Sequence, residues 1–298
     1  MMSMKNCRLC PRMCGADRTK NVGYCGAGAK VKVALVSLHP WEEPCLVGEK
    51  GAGTIFFSRC NLRCCFCQNF PISQGAVGAE ITDERLAEIF LEQQERGAAN
   101  AELVSPTQFA PQIAEAFALA KERGFSLPVV YNSNAYECTE TIDLLKNTVD
   151  VYLPDLKYID EKSARKYSDA PNYFAVAAAA ITRMAKQAGK IVFDKNGQLI
   201  KGVMVRHLVL PGHRKESMRV IDYLWHTFGN DIQISLMGQY TPMHRAAEHK
   251  NLRRRLTTFE YQSVIDYAVN LGITQCYVQE KSAAAVDFVP DFNGDGVI

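Results

Sequence analysis

The sequence predicts an α/β fold with a parallel sheet, arranged either as a barrel or as an open sheet. Seven apolar segments of strand length alternate with helical segments of ten or more residues, and no linker rich in Pro, Gly or Ser interrupts them. Connections of that length join parallel strands by right-handed crossovers. With 298 residues, 47% of them hydrophobic, the chain can bury one large core, which excludes disorder as its main state.

The predicted elements follow from local patterns. Short apolar runs predict strands at 31–37, 53–58, 101–104, 127–132, 149–154, 203–212, 231–237 and 274–279. Apolar residues at helical spacing predict helices at 81–97, 109–124, 139–147, 171–189, 213–229 and 257–272. Thr82 is the expected N-cap of the first helix, Pro111 and Pro171 stand near the starts of two others, and Gly97 and Gly124 end two. Distinctive polar residues follow the carboxyl ends of the strands, where α/β folds bind their ligands.

The charge balance argues against two classes of partner. The chain has 34 Lys and Arg against 32 Asp and Glu, and this net charge of +2 is too small to attract nucleic acid through the overall field. No segment approaches the roughly 18 consecutive apolar residues of a membrane helix, and the first ten residues lack the apolar stretch of a signal peptide. We therefore expect a cytoplasmic protein without a nucleic-acid or membrane partner.

Eleven cysteines are the most informative residues, because in a reducing compartment they favour metal ligation or catalysis over disulfides. Cys60, Cys64 and Cys67 form C-x3-C-x2-C directly after a predicted strand. Three thiolates at this spacing can bind a four-iron cluster and leave one iron without a protein ligand, open to a substrate or cofactor. A structural zinc site and chance crowding are the alternatives. We expect the adjacent Cys65 to be a small buried hydrophobic residue and not a ligand.

Four more cysteines lie near the N-terminus. Cys7, Cys10, Cys14 and Cys25 form C-x2-C-x3-C-x10-C, which provides a complete set of ligands for zinc or for a second iron–sulfur cluster. A metal-free, reduced segment is the alternative. We predict a Cys-rich extension at residues 1–50 and a barrel domain with a C-terminal tail at 51–298.

With Phe66 in its aromatic place, the motif C-x3-C-x-aromatic-C resembles the signature of the radical S-adenosylmethionine (SAM) superfamily. Further segments, among them SLHPWEEPCLVGEKG, AELVSPTQF, YLPDLKY, VRHLVLPG and LMGQYTP, resemble homologues of the pyruvate formate-lyase activating enzyme that carry extra N-terminal cysteines. The resemblance implies a partial barrel of six βα units with a 4Fe–4S cluster held by Cys60, Cys64 and Cys67. It also implies that SAM occupies the open iron and is cleaved to methionine and a 5′-deoxyadenosyl radical.

The resemblance also implies residues that contact SAM. Phe66 is expected against the adenine, although it could be a plain core aromatic. At the end of the second barrel strand the superfamily usually has Gly-Gly-Glu, and this chain has polar residues there that can accept from the SAM amino group or cap a helix: Ser105, Thr107 and Gln108.

Three further strand ends carry polar residues. Asn132 and Asn134 are candidates for the methionine carboxylate or the ribose, or are ordinary turn residues. Asp155 and Lys157 make polar contacts around SAM by the resemblance, or form a structural ion pair. Arg206 and His207 lie on opposite faces of one strand, so at most one should point inward, and we assign neither a catalytic step.

The function predicted from these residues is that of a radical SAM enzyme whose radical abstracts hydrogen, for example from a backbone glycine of a partner enzyme. Modification of a small molecule or of another protein side chain is one alternative, and a non-catalytic iron–sulfur electron carrier is another. A flavodoxin- or ferredoxin-type protein is the expected electron donor. The segment 244–255 holds five Lys or Arg and one Glu, and it is either a solvated loop or a docking site for such a donor.

Overall fold

The computed structural model describes residues 4–75, 77–279 and 290–298, and its described residues form one open, mainly parallel sheet covered by helices. The strands lie in the order β10-β9-β8-β6-β5-β4-β2-β1-β3, and β7 forms a short antiparallel pair with β8. The strands are β1 (Val31–His39), β2 (Ala52–Phe57), β3 (Ala79–Ile81), β4 (Ala101–Val104), β5 (Val129–Ser133), β6 (Val151–Pro154), β7 (Val192–Phe193), β8 (Leu199–Leu208), β9 (Gln233–Met237) and β10 (Cys276–Val278).

Helices connect the parallel strands. They are α1 (Pro44–Val47), α2 (Phe70–Ser73), α3 (Asp83–Glu95), α4 (Ala110–Glu122), α5 (Thr139–Leu144), α6 (Glu161–Ser168), α7 (Tyr173–Ala188), α8 (Arg214–Phe228) and α9 (Thr258–Asn270). Six strands, β2, β4, β5, β6, β8 and β9, are each followed by a helix and then by another parallel strand. This is the predicted series of six βα units, closed at its end by β10.

Local sequence explains where the helices begin. The hydroxyl of Thr82 accepts a hydrogen bond from the backbone N–H of Arg85, so Thr82 is the N-cap of α3 as predicted. The last helix, α9, begins with a capping box in which Thr257 and Glu260 each bond the backbone of the other. The sequence analysis missed α6, which begins at the N-cap Asp160.

The parallel strands have two buried faces, because helices cover the outside and the barrel interior is itself filled. Tyr131 and Tyr152 belong to the outer core and pack against each other, whereas Val130 and Leu153 belong to a separate cluster inside the barrel. Neighbouring residues therefore face opposite sides of the sheet. Helix α1 joins the inner cluster through Leu46, whose carbonyl accepts from Asn100 just before β4.

The sheet crosses the boundary that was predicted at residue 50. Strand β1 precedes that position and pairs antiparallel with β2, which follows it, from Val33 opposite Phe57 to His39 opposite Ala52. The hydrogen bonds between these strands make residues 31–39 a part of the sheet. Of the segment 1–50, the cysteine-bearing residues 4–30 lie outside the sheet. Among the residues described, no helix is long and apolar enough to cross a membrane.

Candidate active site

A cavity of about 430 Å³ lies at the carboxyl ends of the parallel strands. It is lined from most of the parallel strands, for example by Phe57 at the end of β2, Val104 on β4, Asn132 on β5, Arg206 on β8 and Met237 on β9. His39 at the end of β1 also lines it, and the connection from β1 to α1 contributes Trp41 and Glu42. Because the C-terminal ends of parallel strands share one edge, residues far apart in sequence meet here, as the polar strand ends predicted.

All three cysteines of the C-x3-C-x2-C motif line this cavity, and each sulfur has a hydrogen-bonding partner. Asn134 Nδ2 donates to Cys60 Sγ at 3.3 Å, and the backbone N–H of Leu62 approaches the same sulfur at 3.5 Å. Ser168 Oγ donates to Cys64 Sγ at 3.0 Å, and Cys67 Sγ lies 3.2 Å from Ser73 Oγ. The donors at Cys60 and Cys64, and the Ser73 hydroxyl, which can donate to a Cys67 thiolate, stabilise thiolates and therefore a bound iron–sulfur cluster.

Without a bound metal, burial favours the protonated form of these cysteines. Loss of solvent and the neighbouring Cys64 raise the pKa of Cys60 to about 12 and that of Cys67 to about 11. Burial also raises the pKa of Cys64, while the nearby ammonium of Lys157 acts in the opposite direction. Metal binding must displace these protons, so the site is built for cations that bind thiolate strongly.

Cys65 points away from its neighbours on the motif. Its side chain belongs to the hydrophobic core and is 3% exposed. Its backbone N–H donates to the carbonyl of Tyr167, and its own carbonyl accepts from Arg245. These bonds fix the loop so that Cys65 packs inward, as the sequence predicted, while Cys64 faces the cavity.

The loop that carries the motif departs from extended backbone at Arg59, whose φ is +80°. This left-handed conformation favours glycine, and a non-glycine residue needs support to hold it. The guanidinium of Arg59 donates to the carbonyl of Gly75, and its backbone N–H donates to Ile72. These contacts join the start of the motif loop to α2 and to Gly75, which follows that helix.

Asp155 and Lys157 form an ion pair at the cavity, with 2.7 Å between Lys157 Nζ and Asp155 Oδ2. Arg206 Nε lies 3.1 Å from the other carboxylate oxygen, so Asp155 has two cationic partners. Although burial acts to raise the pKa of Asp155, Lys157 and Arg206 lower it, and the residue is a carboxylate. Asp155 in turn raises the pKa of Lys157 against the effect of burial, so the ammonium stays charged.

Arg206 is the centre of a larger polar network that the sequence analysis did not assign to the site. Its guanidinium donates to Glu42 at 3.2 Å and to the side-chain oxygen of Asn132. Asn132 donates in turn to Glu102 at 2.6 Å. Burial raises the pKa of Glu102 to about 7, while Arg206 opposes this shift.

The alternation of side chains along β8 could have identified Arg206. His207, the next residue, lies on the opposite face, where its ring bonds the carbonyl of Leu156 at 2.7 Å and Ser217 Oγ at 2.9 Å. This confirms that only one of the pair faces inward. Residues of a strand alternate between the two faces of the sheet, so an arginine can face the cavity while its neighbour does not. A buried arginine needs carboxylate partners, and its presence on that face therefore predicts carboxylates in the cavity.

Ser105, Asn132 and Asn134 also line the cavity, and so does Phe66. Ser105 has a φ of +57°, which turns the chain sharply after β4. The ring of Phe66 meets Tyr240 edge to face with 6.0 Å between centroids. The structure thus brings six predicted SAM contacts together around the three thiols: Phe66, Ser105, Asn132, Asn134, Asp155 and Lys157.

Thr107 and Gln108 do not line this cavity in the described structure, contrary to the position predicted for them. The turn at Ser105 and a short 3-10 helix that follows direct their side chains elsewhere. Thr107 donates to Glu137 at 2.6 Å. Gln108 donates to the carbonyls of Ser105, Ser58 and Arg59 and so supports the start of the motif loop.

The four N-terminal cysteines also gather at one place. A second, small pocket is lined by Cys7, Cys10, Cys14 and Cys25 together with Asn61. Thr107 and Gln108 line it from the barrel side. The two cysteine sets therefore lie on opposite sides of the loop that begins at Cys60.

Within the described ranges, no three His, Cys, Asp or Glu side chains are placed so that they could hold a single metal ion. In an iron–sulfur cluster each thiolate binds a different iron, so the thiols surround a space without converging on one point. The three hydrogen-bonded thiols of the motif fit such a cluster.

Comparisons with known proteins show the family of this chain. The model of the radical SAM superfamily matches residues 54–224, which include the motif and strands β2 to β8. An uncharacterized protein of Methanocaldococcus jannaschii is 30% identical over 288 residues, 92% of this chain and 77% of that protein.

Solved structures share the fold at low identity. Streptococcus suis SuiB bound to precursor peptide SuiA is 10% identical, with a TM-score of 0.52 over 74% of this chain and 46% of SuiB. HydG, a maturase of the FeFe-hydrogenase, is 12% identical, with a TM-score of 0.52 over 77% of this chain and 52% of HydG. The chain thus spans about half the length of these two proteins. From its motif, its open barrel and these matches, this chain belongs to the radical SAM superfamily.

Proposed function

We propose that this chain cleaves SAM at a 4Fe–4S cluster held by Cys60, Cys64 and Cys67, and that the resulting radical takes a hydrogen atom from a glycine of a partner enzyme. The observation that carries the proposal is the set of three hydrogen-bonded thiols at the large cavity, with Cys65 packed into the core instead of completing a fourth ligand. When bound, the cluster supplies one electron for reductive cleavage of the sulfonium.

The polar side chains of the cavity are suited to hold a zwitterionic cofactor. Lys157 offers an ammonium and Asn134 an amide beside the thiols, and the Asp155 carboxylate fixes the position of Lys157. Ser105 and Asn132 supply further hydrogen-bonding groups on neighbouring strand ends. We assign the amino and carboxylate ends of SAM to this group, and the adenine to the aromatic pair Phe66 and Tyr240.

The remaining wall of the cavity protects a reactive species. Phe56, Phe57, Ile72, Leu208 and Met237 supply apolar surface with no exchangeable hydrogen to offer. A lining of this kind keeps water away from the reacting atoms. It also limits hydrogen abstraction to a group that the protein itself admits.

The exposed edge of the cavity favours a protein substrate over a free metabolite. Trp41 lines the cavity and is 60% exposed, so a large apolar side chain stands where a substrate segment enters. The same fold accommodates a peptide in SuiB bound to SuiA. Together with the resemblance to activating enzymes, these features support a glycine in a partner's exposed loop as the target.

The reaction requires a low-potential reductant, and we propose a flavodoxin- or ferredoxin-type protein in the cytoplasm. Both the thiols and a reduced cluster survive best in a reducing, oxygen-poor compartment. The electron enters singly, once for each SAM cleaved.

Anaerobically reconstituted chain with SAM and dithionite tests the first half of this proposal. We expect equimolar 5′-deoxyadenosine and methionine from the wild type, and none above background from Cys64→Ala. A loaded and reduced wild type that leaves SAM intact would identify a non-catalytic electron carrier instead.

A candidate glycyl-radical partner with α-deuterated glycine tests the second half. We expect deuterium in 5′-deoxyadenosine. In a parallel sample with unlabelled glycine we expect a doublet in the paramagnetic resonance spectrum of the partner, because the remaining α-hydrogen splits the signal of the glycyl radical. SAM cleavage that proceeds without either signal in every partner offered would favour modification of a small molecule or another side chain.

A further inference from the structure

The four N-terminal thiols form a site of their own that the proposed SAM cleavage does not use. Cys7 and Cys25 are buried, Cys10 is half-buried and Cys14 is exposed, yet all four line one pocket. Gly23 lies between two of them, since a Cβ at this position would be 3.3 Å from Cys14 Sγ and 3.6 Å from Cys25 Sγ. The thiols therefore surround a common space from different parts of the segment.

Backbone hydrogen bonds hold this segment in shape without a helix or strand. The backbone N–H of Cys7 donates to the carbonyl of Ala16, and the carbonyl of Cys7 accepts from the backbone N–H of Gly15. Arg18 donates to the carbonyl of Gly28 at 2.6 Å and lies 3.9 Å from Cys7 Sγ through Nη1. The spacing C-x2-C-x3-C-x10-C thus folds into a compact cage.

The cage is packed against the motif loop of the first cysteine set. Arg12 Nε donates to the carbonyl of Asn61 at 2.9 Å, and Arg18 Nη1 donates to the carbonyl of Gln108 at 2.6 Å. Gln108 bonds the carbonyls of Ser58 and Arg59, directly before Cys60. Two arginines of the cage therefore support the loop that holds the proposed SAM-binding cluster.

Asn61 links the two sets. It lines the pocket of the N-terminal thiols together with Cys10. Its Oδ1 lies 4.0 Å from Cys60 Sγ and accepts from Asn134 Nδ2 at 2.8 Å. Asn61 thus lines the pocket of one set and lies beside a thiol of the other, so two centres bound there would lie close enough to exchange an electron.

The N-terminal segment is positively charged, which suits a negatively charged centre bound by thiolates. Residues 4–30 contain six Lys or Arg and one Asp. Four of the basic side chains, Lys5, Arg8, Lys20 and Lys30, are exposed. Positive charge around a thiolate-bound cluster offsets its negative charge and attracts an acidic donor protein.

We propose that Cys7, Cys10, Cys14 and Cys25 hold a second iron–sulfur cluster, and that it delivers single electrons to the first cluster across Asn61. With four protein ligands it has no position for SAM. One electron from a reduced flavodoxin- or ferredoxin-type protein reduces the second cluster. The same electron then passes to the first cluster, which reoxidises the second. The relay rests on the proposed SAM cleavage, whereas the second cluster itself does not.

The metal is tested in the full chain with Cys60, Cys64 and Cys67 all replaced by Ala. After anaerobic reconstitution we expect iron and sulfide to remain, together with a paramagnetic signal on reduction. Zinc or no metal in this variant would overturn the proposal. As a check that does not depend on this variant, we compare wild type with Cys14→Ser, which should lose the second set's iron and its signal but keep the first.

The proximity is tested in the same spectra. Two reduced clusters linked by one side chain should broaden each other, so the wild-type spectrum should differ from the sum of the two variants' spectra. A wild-type spectrum equal to that sum would place the clusters too far apart for Asn61 to connect them, and would overturn the relay.

Electron counting tests the relay without any protein donor. Wild type is fully reduced with dithionite, freed of reductant by desalting, and given excess SAM. We expect about two 5′-deoxyadenosine per chain, one for each stored electron, and about one from Cys14→Ser. Cys276→Ala, which alters a cysteine outside both sets, should match wild type.

The outcomes separate the two proposals. One product per chain in both wild type and Cys14→Ser would overturn the relay and leave SAM cleavage standing. No product in any sample would overturn the proposed function, and the metal analysis would still decide whether the second cluster exists.

Discussion

The two cysteine sets lie on either side of one loop, yet their surroundings differ in a way that separates their roles. Cys60, Cys64 and Cys67 are three thiols at a cavity of about 430 Å³ that also holds Asp155 and Lys157. The N-terminal set has four thiols in a small pocket that Leu9 and Tyr24 help to line. Under the two proposals, three ligands beside open space leave room for a reactant, whereas four ligands leave no iron of the second cluster open to one.

Buried carboxyls also differ from one another. In the cavity, Lys157 and Arg206 lower the pKa of Asp155 against the effect of burial, whereas burial raises the pKa of Glu42 well above its usual range although Arg206 Nη1 lies 3.2 Å away. On the side of the N-terminal cage, Glu137 bonds Thr107 through one oxygen, and its other oxygen is buried with no hydrogen-bonding partner among the described atoms. Asp155 is thus a carboxylate, whereas burial favours the neutral acid at both Glu42 and Glu137.

The largest expected difference in SAM cleavage is between variants of two adjacent cysteines, Cys64 and Cys65. Cys64→Ala removes a cavity thiol that accepts from Ser168, and we expect SAM cleavage to fall to background. Cys65→Ala removes only core volume, and should cost about 1 kcal/mol of stability with cleavage retained. Product analysis of both anaerobic proteins checks this, and equal activity in the two would contradict the assignment of ligands.

Arg206→Met should destabilise the fold strongly, because it leaves Glu42 and Asp155 without their shared cation. Breaking a buried ion pair on one side typically costs about 3–5 kcal/mol. The matched control is Arg183→Met, whose partner Asp143 is 45% exposed, with an expected cost below about 1 kcal/mol. Urea denaturation of the anaerobic proteins measures both. Similar losses in the two variants would show that the network does not depend on Arg206.

Glu137→Gln should change how stability depends on pH. Burial raises the pKa of Glu137 from 4.5 to about 7. Between these values the folded chain binds a proton that the unfolded chain has released, so wild-type stability falls as pH rises through this window. Glutamine cannot ionise, and the variant should gain about 2–3 kcal/mol relative to wild type between pH 5 and pH 8. Urea midpoints at both pH values test this, and parallel curves would contradict it.

The smallest effect concerns Gly23 in the cage. In Gly23→Ala the added methyl would press on Cys14 Sγ at 3.3 Å, at a cost of roughly 1 kcal/mol. Gly28→Ala is the control, since its Cβ would meet only the carbonyl of Arg18 at 3.9 Å. We expect a chelator to remove the N-terminal iron about fivefold faster from Gly23→Ala alone. Equal rates would mean that Gly23 does not shape the cage.

Much of the fold was readable from local patterns, because apolar strands and capped helices are encoded within a few residues. The cavity thiols were equally visible, since Cys60, Cys64 and Cys67 lie close together in sequence. Arg206 was harder to assign, because its partners Glu42 and Asn132 come from distant segments that only the sheet brings together.

Two features of the structure could not be predicted from the sequence, each for a different reason. Thr107 and Gln108 follow a strand end, where alternation no longer tells which way a side chain points, and the positive φ of Ser105 redirects them. The position of Asn61 beside both cysteine sets depends on how residues 4–30 dock on the motif loop. Cysteine spacing within each set carries no information about that docking.

The central claim is that the first cluster leaves one iron for SAM to occupy, and double resonance on the reduced chain with ¹⁵N-amino SAM tests it most directly. We predict a nitrogen coupling that shows the SAM amino group bound to the cluster in wild type and absent from Cys64→Ala. A reduced, fully loaded wild type that binds SAM without any such coupling would contradict the account.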